Sequence, residues 1–297
     1  MRLGTTGLFI ICSAIWGSTW LAIKYQLGVV APELSVAYRF GLAAIALFAW
    51  CAATRRSLRF SAREHGYLAA LGVMLFGLNY IGVYWAERFV TSGLVAVLFS
   101  TIVFMNPAGM RVVFGTPLSA RTLIAATLGV AGVALLFLPE LDQATHGGSA
   151  GYGVAFALGA TVIACGGNLI AIRNHNAGIP TFPSTAWGMA YGAIIAALVA
   201  VLRAEPWTFD IHPAYLLSLA YLSVFGSIIA FGAYLTLLKR VGGGPAAFVG
   251  VATPVIALTL STLFEGYRWT WTAALGVALA VAGNWLALRP GRGDATK

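Results

Sequence analysis

The stretch AIWGSTWLAIK, residues 14–24, sets two tryptophans one helical turn apart, Trp16 and Trp20, around Gly17-Ser18-Thr19, and ends on Lys24. It lies within an apolar run, away from the membrane edges where tryptophan usually collects. It also has an echo: WGSTWLAIK at 16–24 lies on CGGNLIAIR at 165–173, pairing Gly17 with Gly166, Ala22 with Ala171, Ile23 with Ile172 and Lys24 with Arg173 at an offset of 149. Gly77 falls on Gly226 at that offset, while Gly115 on Gly266, Gly132 on Gly283 and Pro139 on Pro290 fall at 151. A nearly constant shift along half the chain indicates duplication. The two repeats are expected at 1–145 and 146–297.

Composition says what the repeats are made of. Of 297 residues, 60% are hydrophobic and 9% charged, with a mean hydropathy of +0.86. No water-soluble core accommodates that balance, because too little polar surface remains to cover it. Apolar windows recur at about 5–25, 32–53, 66–86, 89–113, 120–138, 149–172, 181–202, 212–238, 244–264 and 270–288. Each approaches the roughly 20 residues that cross about 30 Å of hydrocarbon. The expected fold is therefore an all-α integral membrane protein with ten transmembrane helices. Five helices per repeat, an odd number, insert the second copy in the opposite sense, giving two inverted five-helix repeats around a central substrate cavity.

Charge sets the expected orientation. With a cytoplasmic N-terminus, thirteen of the eighteen Lys and Arg fall in inner segments and four (Lys24, Arg88, Arg203, Arg268) in outer ones, with Arg39 inside helix 2. This positive-inside bias puts both termini in the cytoplasm of a multi-pass protein of the cell (cytoplasmic or inner) membrane. The net charge of +9 is spread over separate turns, which excludes a nucleic-acid stripe and suits lipid headgroups. Cys12, Cys51 and Cys165 match no metal or disulfide spacing and read as packing residues. Residues 5–25 read as a retained first helix, since no small-residue cleavage site follows.

The WGSxW-type first helix and the halves closing on LGVAGVALL (128–136) and LGVALAVAG (275–283) resemble the EamA family of the drug/metabolite transporter superfamily, over essentially the whole chain. The aromatic loading is most similar to YddG-type exporters, and that resemblance implies export of aromatic and related amino acids. One departure stands out. Many family members carry Gly-Glu after the fourth helix of each half, whereas this chain has FGT at 114–116 and FEG at 264–266.

No Asp or Glu occupies the middle of an expected helix, and Glu87 and Glu265 sit near outer ends. Carboxylate-based proton coupling is therefore not evident. The resemblance implies that small multidrug relatives use a glutamate in the first helix, where this chain has Ser18 and Thr19. A net-neutral solute is the better expectation, with a broad-specificity drug/metabolite exporter as the alternative. A zwitterionic amino acid needs donors, acceptors and an apolar wall. The expected substrate-binding residues are Trp16, Thr19, Trp20, Asn79, Tyr80, Tyr84, Asn168 and Trp187. Phe76, Tyr80 and Tyr84 at i, i+4 and i+8 form one expected stripe, and Trp187 with Tyr191 repeats the spacing.

Gly77, Gly226 and Pro254 are the expected gating positions, through alternating access. GGGP at 242–245 is a further expected helix break. Arg39 is expected to extend its stem to the outer interface, and Lys24 to anchor the outer edge. The small residues Ala125, Gly129, Gly132, Gly276, Ala280 and Gly283 predict a close pair of helices 5 and 10 away from the substrate path. No HExxH or Asp/His cluster suggests an enzyme, a metal or a cofactor. The expected partners are a small-molecule substrate and the lipid bilayer, with no nucleic acid and no obligate protein partner.

Overall fold

The computed structural model describes residues 4–136, 149–241, 246 and 248–288. The repeat boundary at 145/146, the Pro139/Pro290 pairing and GGGP 242–245 lie outside the described residues. Within them the chain is helical and contains no strand. Seven helical spans are long and apolar enough to cross a membrane: Thr5–Lys24, Pro32–Ala53, Ala62–Ala86, Ser92–Phe114, Ala150–Asn176, Thr181–Leu202 and Pro213–Tyr234. Three shorter apolar helices, Ala120–Leu136, Val249–Phe264 and Trp271–Ala287, complete the set. The ten windows read from the sequence correspond to these one for one.

In chain order the helices are α1 (Thr5–Lys24), α2 (Pro32–Ala53), α3 (Ala62–Leu71), α4 (Asn79–Ala86), α5 (Ser92–Phe99), α6 (Ile102–Phe114) and α7 (Ala120–Leu136). The second half supplies α8 (Ala150–Asn176), α9 (Thr181–Leu202), α10 (Pro213–Tyr221), α11 (Ala230–Val241), α12 (Val249–Phe264) and α13 (Trp271–Leu288). Local chemistry sets their ends. Pro32 and Pro213 open α2 and α10, where a missing N–H costs nothing. A capping box starts α3: Ser61 Oγ accepts from Glu64 N at 3.3 Å, and Glu64 Oε2 accepts from Ser61 N at 2.6 Å. The duplicated glycines Gly115 (φ 71°) and Gly266 (φ 70°) end the fourth helix of each half in the left-handed conformation that favours glycine.

A second feature recurs at the duplication offset. The third span of each half contains a π-helical segment, Gly72–Leu78 and Leu222–Ile229, and these hold the matched Gly77 and Gly226. Such segments close i→i+5 hydrogen bonds, are rare and often mark functional positions.

The chain forms two compact units, each drawing on both sequence halves. One contains Met1–Leu21, Thr91–Gly151 and Ile229–Lys297; the other contains Ala22–Val90 and Tyr152–Ile228. In the first unit α7 and α13 meet through their small residues, as the sequence predicted. A Cβ added to Gly132 would stand 2.5 Å from Gly276 O and 2.6 Å from Ala280 N, and one on Gly283 would stand 2.7 Å from Ala125 O. Only glycine allows that approach, and close packing matters more where lipid weakens the hydrophobic drive between helices. Leu8, Cys12, Leu237 and Val249 form a neighbouring core with Trp16 and Tyr234 against it.

In the second unit the Gly72–Leu78 segment lies against α9. Phe76 packs over Gly188 and Gly192, and a Cβ on Gly192 would stand 2.6 Å from Phe76 Cβ. α4 meets α8 at Gly82, whose added Cβ would stand 3.0 Å from Ala160 Cβ. All three cysteines are buried free thiols.

Candidate functional site

The residues singled out from the sequence fall in both units. In the first unit, the apolar face of α1 carries Trp16 and Trp20, both half-buried. Trp16 meets the Phe231 ring edge-on at 5.3 Å and Tyr234 at 5.1 Å, and Trp20 meets Phe99 at 5.4 Å. Between them Thr19 is buried and its hydroxyl donates to Trp16 O at 2.8 Å, while Ser18 Oγ donates to Ala14 O at 2.7 Å. Both hydroxyls therefore return to their own helix, as side chains in apolar surroundings commonly do. Gly17 sets this stretch against α12, since an added Cβ would stand 2.6 Å from Ile256 Cγ2. Pro254 is buried inside α12.

Glu265 takes a structural position in the same unit. Its carboxylate accepts from Ser92 N at 3.2 and 3.1 Å and from the Ser92 hydroxyl. It thus satisfies the first free N–H of α5 and meets the positive end of that helix.

The second unit holds Asn79, Tyr80, Tyr84, Asn168 and Trp187. Asn79 is 2% exposed; its Nδ2 donates to Leu75 O at 3.1 Å, and its Oδ1 has no hydrogen-bond partner among the described residues. Tyr80 is half-buried, with the Phe40 ring at 4.7 Å. Tyr84 is 0% exposed and its hydroxyl donates to Gln26 Oε1 at 2.5 Å. The expected stripe is therefore not one open surface. Phe76 packs on the α9 glycines, Tyr84 closes on Gln26, and Tyr80 alone of the three keeps partial exposure. Asn168 lies half-buried on α8. Trp187 occupies a different place: its Nε1 donates to Leu58 O at 3.1 Å and its ring lies 4.7 Å from His65, which bonds Tyr191 through Nδ1 at 3.0 Å. His65 and Tyr84 stand at opposite ends of one span, about 28 Å apart at 1.5 Å per residue. Trp187 and Tyr84 are thus not brought together.

Sequence reasoning missed a buried polar cluster around Tyr84. Arg39 does not reach an interface: it is 2% exposed, with Cζ 4.6 Å from the Tyr80 ring centroid and 5.0 Å from that of Phe40. The aromatic faces of α2 and α4 hold the guanidinium inward. Lys24 likewise turns in, donating to Glu87 O at 2.6 Å. Glu33 is 0% exposed; its Oε1 accepts from Trp85 Nε1 at 2.9 Å and pairs with Arg203 Nε at 3.3 Å. Ser35 Oγ and Tyr215 Oη share a hydrogen bond of 3.1 Å. Glu33, in the first turn of α2, reads in sequence as an ordinary helix-start carboxylate, so no local signal marked it.

Ten apolar helices in two matched halves, with polar and aromatic side chains buried on the spans, define a multi-pass membrane protein. The chain belongs to the EamA-like transporter family, whose model matches it twice, over residues 5–138 and 151–289. It is 23% identical over 292 residues to Protein PagO of Salmonella typhimurium, covering 95% of this chain and 91% of that one. It is 27% identical over 260 residues to the uncharacterized inner membrane transporter YedA of Escherichia coli, covering 85% and 80%. To the uncharacterized transporter YoaV of Bacillus subtilis it is 25% identical over 281 residues, covering 92% and 93%. A solved crystal structure aligns over 95% of this chain and 96% of that one with a TM-score of 0.67 and 20% identity, a likeness of fold. Family and relatives point to a transporter rather than an enzyme.

Proposed function

We propose that this transporter exports neutral amino acids, aromatic ones among them, across the cytoplasmic membrane by alternating access between two inverted five-helix repeats (1–145 and 146–297), with both termini in the cytoplasm. The observation that carries the reading lies within the second unit, where the half-buried ring of Tyr80 stands next in the chain to a buried amide acceptor. Tyr80 offers an apolar ring face, and Asn79 Oδ1 has no donor among the described residues; Trp16 and Trp20 are half-buried rings that the first unit offers. An apolar side chain and an ammonium group are what such a pairing complements. Thr19, Tyr84, Asn168 and Trp187 complete the proposed substrate-contacting set, Trp187 at a place separate from Tyr84, and the substrate is bound without cofactor or obligate protein partner. Gly77, Gly226 and Pro254 are the gating positions. The two π-helical segments that hold Gly77 and Gly226 support the first two, because such segments often mark functional positions.

The test is uptake of radiolabelled phenylalanine into liposomes containing the purified protein, with and without an imposed pH gradient, alongside Trp16→Ala. Saturable, gradient-independent uptake that falls by about 2- to 12-fold in the variant is the expected result, since losing an aromatic contact of this kind costs on the order of 0.5–1.5 kcal/mol. No uptake by the folded wild type would direct attention to a broad drug/metabolite exporter. Ohmic conductance would replace the carrier with a pore.

A further inference from the structure

Arg39 lies about two turns into α2. A guanidinium taken out of water requires acceptors or a counter-charge, and an ionised side chain within a membrane span ordinarily serves function. Neighbouring charges of the same unit have such partners: buried Glu33 holds Trp85 and Arg203, and half-buried Lys24 holds the Glu87 carbonyl. Arg39 is 2% exposed, yet its Nε and Nη1 have no hydrogen-bond partner among the described residues. Between them these nitrogens carry three N–H donors. The surroundings are aromatic. The Tyr80 and Phe40 rings lie 4.6 and 5.0 Å from Cζ, and the Tyr84 hydroxyl adjoins the guanidinium. Ring faces temper the positive charge but supply no in-plane acceptor for those N–H groups. Tyr84 gives its own proton to Gln26.

We infer that Arg39, covered by the Tyr80 ring, is the anchor for the carboxylate of the transported solute. This rests on the amino-acid reading above and adds the group that was missing from it. The other cations of the cluster are engaged, Lys24 with the Glu87 carbonyl and Arg203 with Glu33. That leaves one guanidinium, which suits a monoanion rather than a phosphate, since phosphate draws several basic groups. Asn79, next to Tyr80 in the chain, carries the complementary vacancy: a buried Oδ1 without a donor. A zwitterion supplies both missing partners, an acceptor for Arg39 and a donor for Asn79. Tyr80, the half-exposed member, is the side from which the solute reaches the guanidinium.

The test is calorimetric binding of 3-phenylpropionate and of its uncharged amide, 3-phenylpropanamide, to the purified full-length protein. Wild type is expected to prefer the acid by about 10- to 100-fold, the worth of a charge-assisted hydrogen bond. Arg39→Gln is expected to erase the preference, lowering acid affinity by about 10- to 100-fold and amide affinity by less. Absence of an acid preference in wild type, or its persistence in folded Arg39→Gln, overturns the inference. Should Arg39→Gln fail to fold, Arg39→Lys decides. Loss of the planar fork is expected to lower acid affinity at least about fivefold, and acid affinity equal to wild type overturns the assignment. Phenylalanine counterflow separates the two claims. Counterflow with an acid preference indifferent to Arg39 refutes the anchor alone, and an Arg39-dependent acid preference without counterflow refutes the amino-acid reading alone.

Discussion

Two roles compete at Gly77, a hinge that needs glycine's freedom and a gap that admits α9, and the structure allows them to be separated. A Cβ at Gly77 would overlap Ile195 Cγ2 and stand 3.3 Å from Gly192 O. The overlap is with one side-chain methyl, and the backbone contact is only tight. Overpacking of this kind costs about 1–3 kcal/mol, while replacing glycine with alanine in a helix returns about 1 kcal/mol. Gly77→Ala should therefore destabilise by about 1 kcal/mol, lowering the thermal midpoint by roughly 2–4 °C. In an Ile195→Ala background the offending methyl is gone, so the same substitution should cost nothing or stabilise, a coupling of about 1–2 kcal/mol. The assay is thermal unfolding of all four proteins in detergent, followed by phenylalanine counterflow. If Gly77 serves packing alone, transport lost in Gly77→Ala returns in the double variant. If it is a hinge, stability returns and transport does not. Equal destabilisation by Gly77→Ala in the wild-type and Ile195→Ala backgrounds would refute the steric argument itself.

Two further outcomes test the packing of the first unit, the first of them against a control on α8 of the second unit. Gly132→Ala should destabilise by about 1–3 kcal/mol, because its Cβ would meet the backbone of α13, whereas Gly159→Ala, with nothing within 4 Å, should be neutral or gain up to about 1 kcal/mol; unfolding in detergent compares them. Glu265→Ala should cost about 1–3 kcal/mol by stripping the Ser92 N–H and hydroxyl of their acceptor, and hydrogen exchange should rise first at the start of α5.

The sequence by itself determined the ten apolar helices, the duplication and the α7–α13 contact. These are local properties: a helix long enough for the membrane is the sum of about 20 consecutive apolar residues, and a seam of small residues shows on one helix face without knowledge of its partner. Gly115 and Gly266 were likewise legible, because left-handed backbone selects glycine wherever it occurs. The spacing of Trp16 and Trp20 was legible, but not Phe231, Tyr234 and Phe99 against them, since ring contacts between distant segments leave no spacing to read.

Only the tertiary structure decided what the polar residues do. Arg39 and Glu33 sit where a long side chain in sequence reads as reaching water. Which way each turned depended on side chains from other helices, Tyr80 for Arg39 and Trp85 with Arg203 for Glu33. Tyr84 passed from open stripe to buried donor because Gln26, 58 positions away, accepts its proton. In lipid a polar group takes whatever partner the neighbouring helix presents, and that neighbour is chosen by packing across the whole chain. The apolar pattern therefore fixes where the helices are, while the identity of the unpaired charge emerges only once they have met.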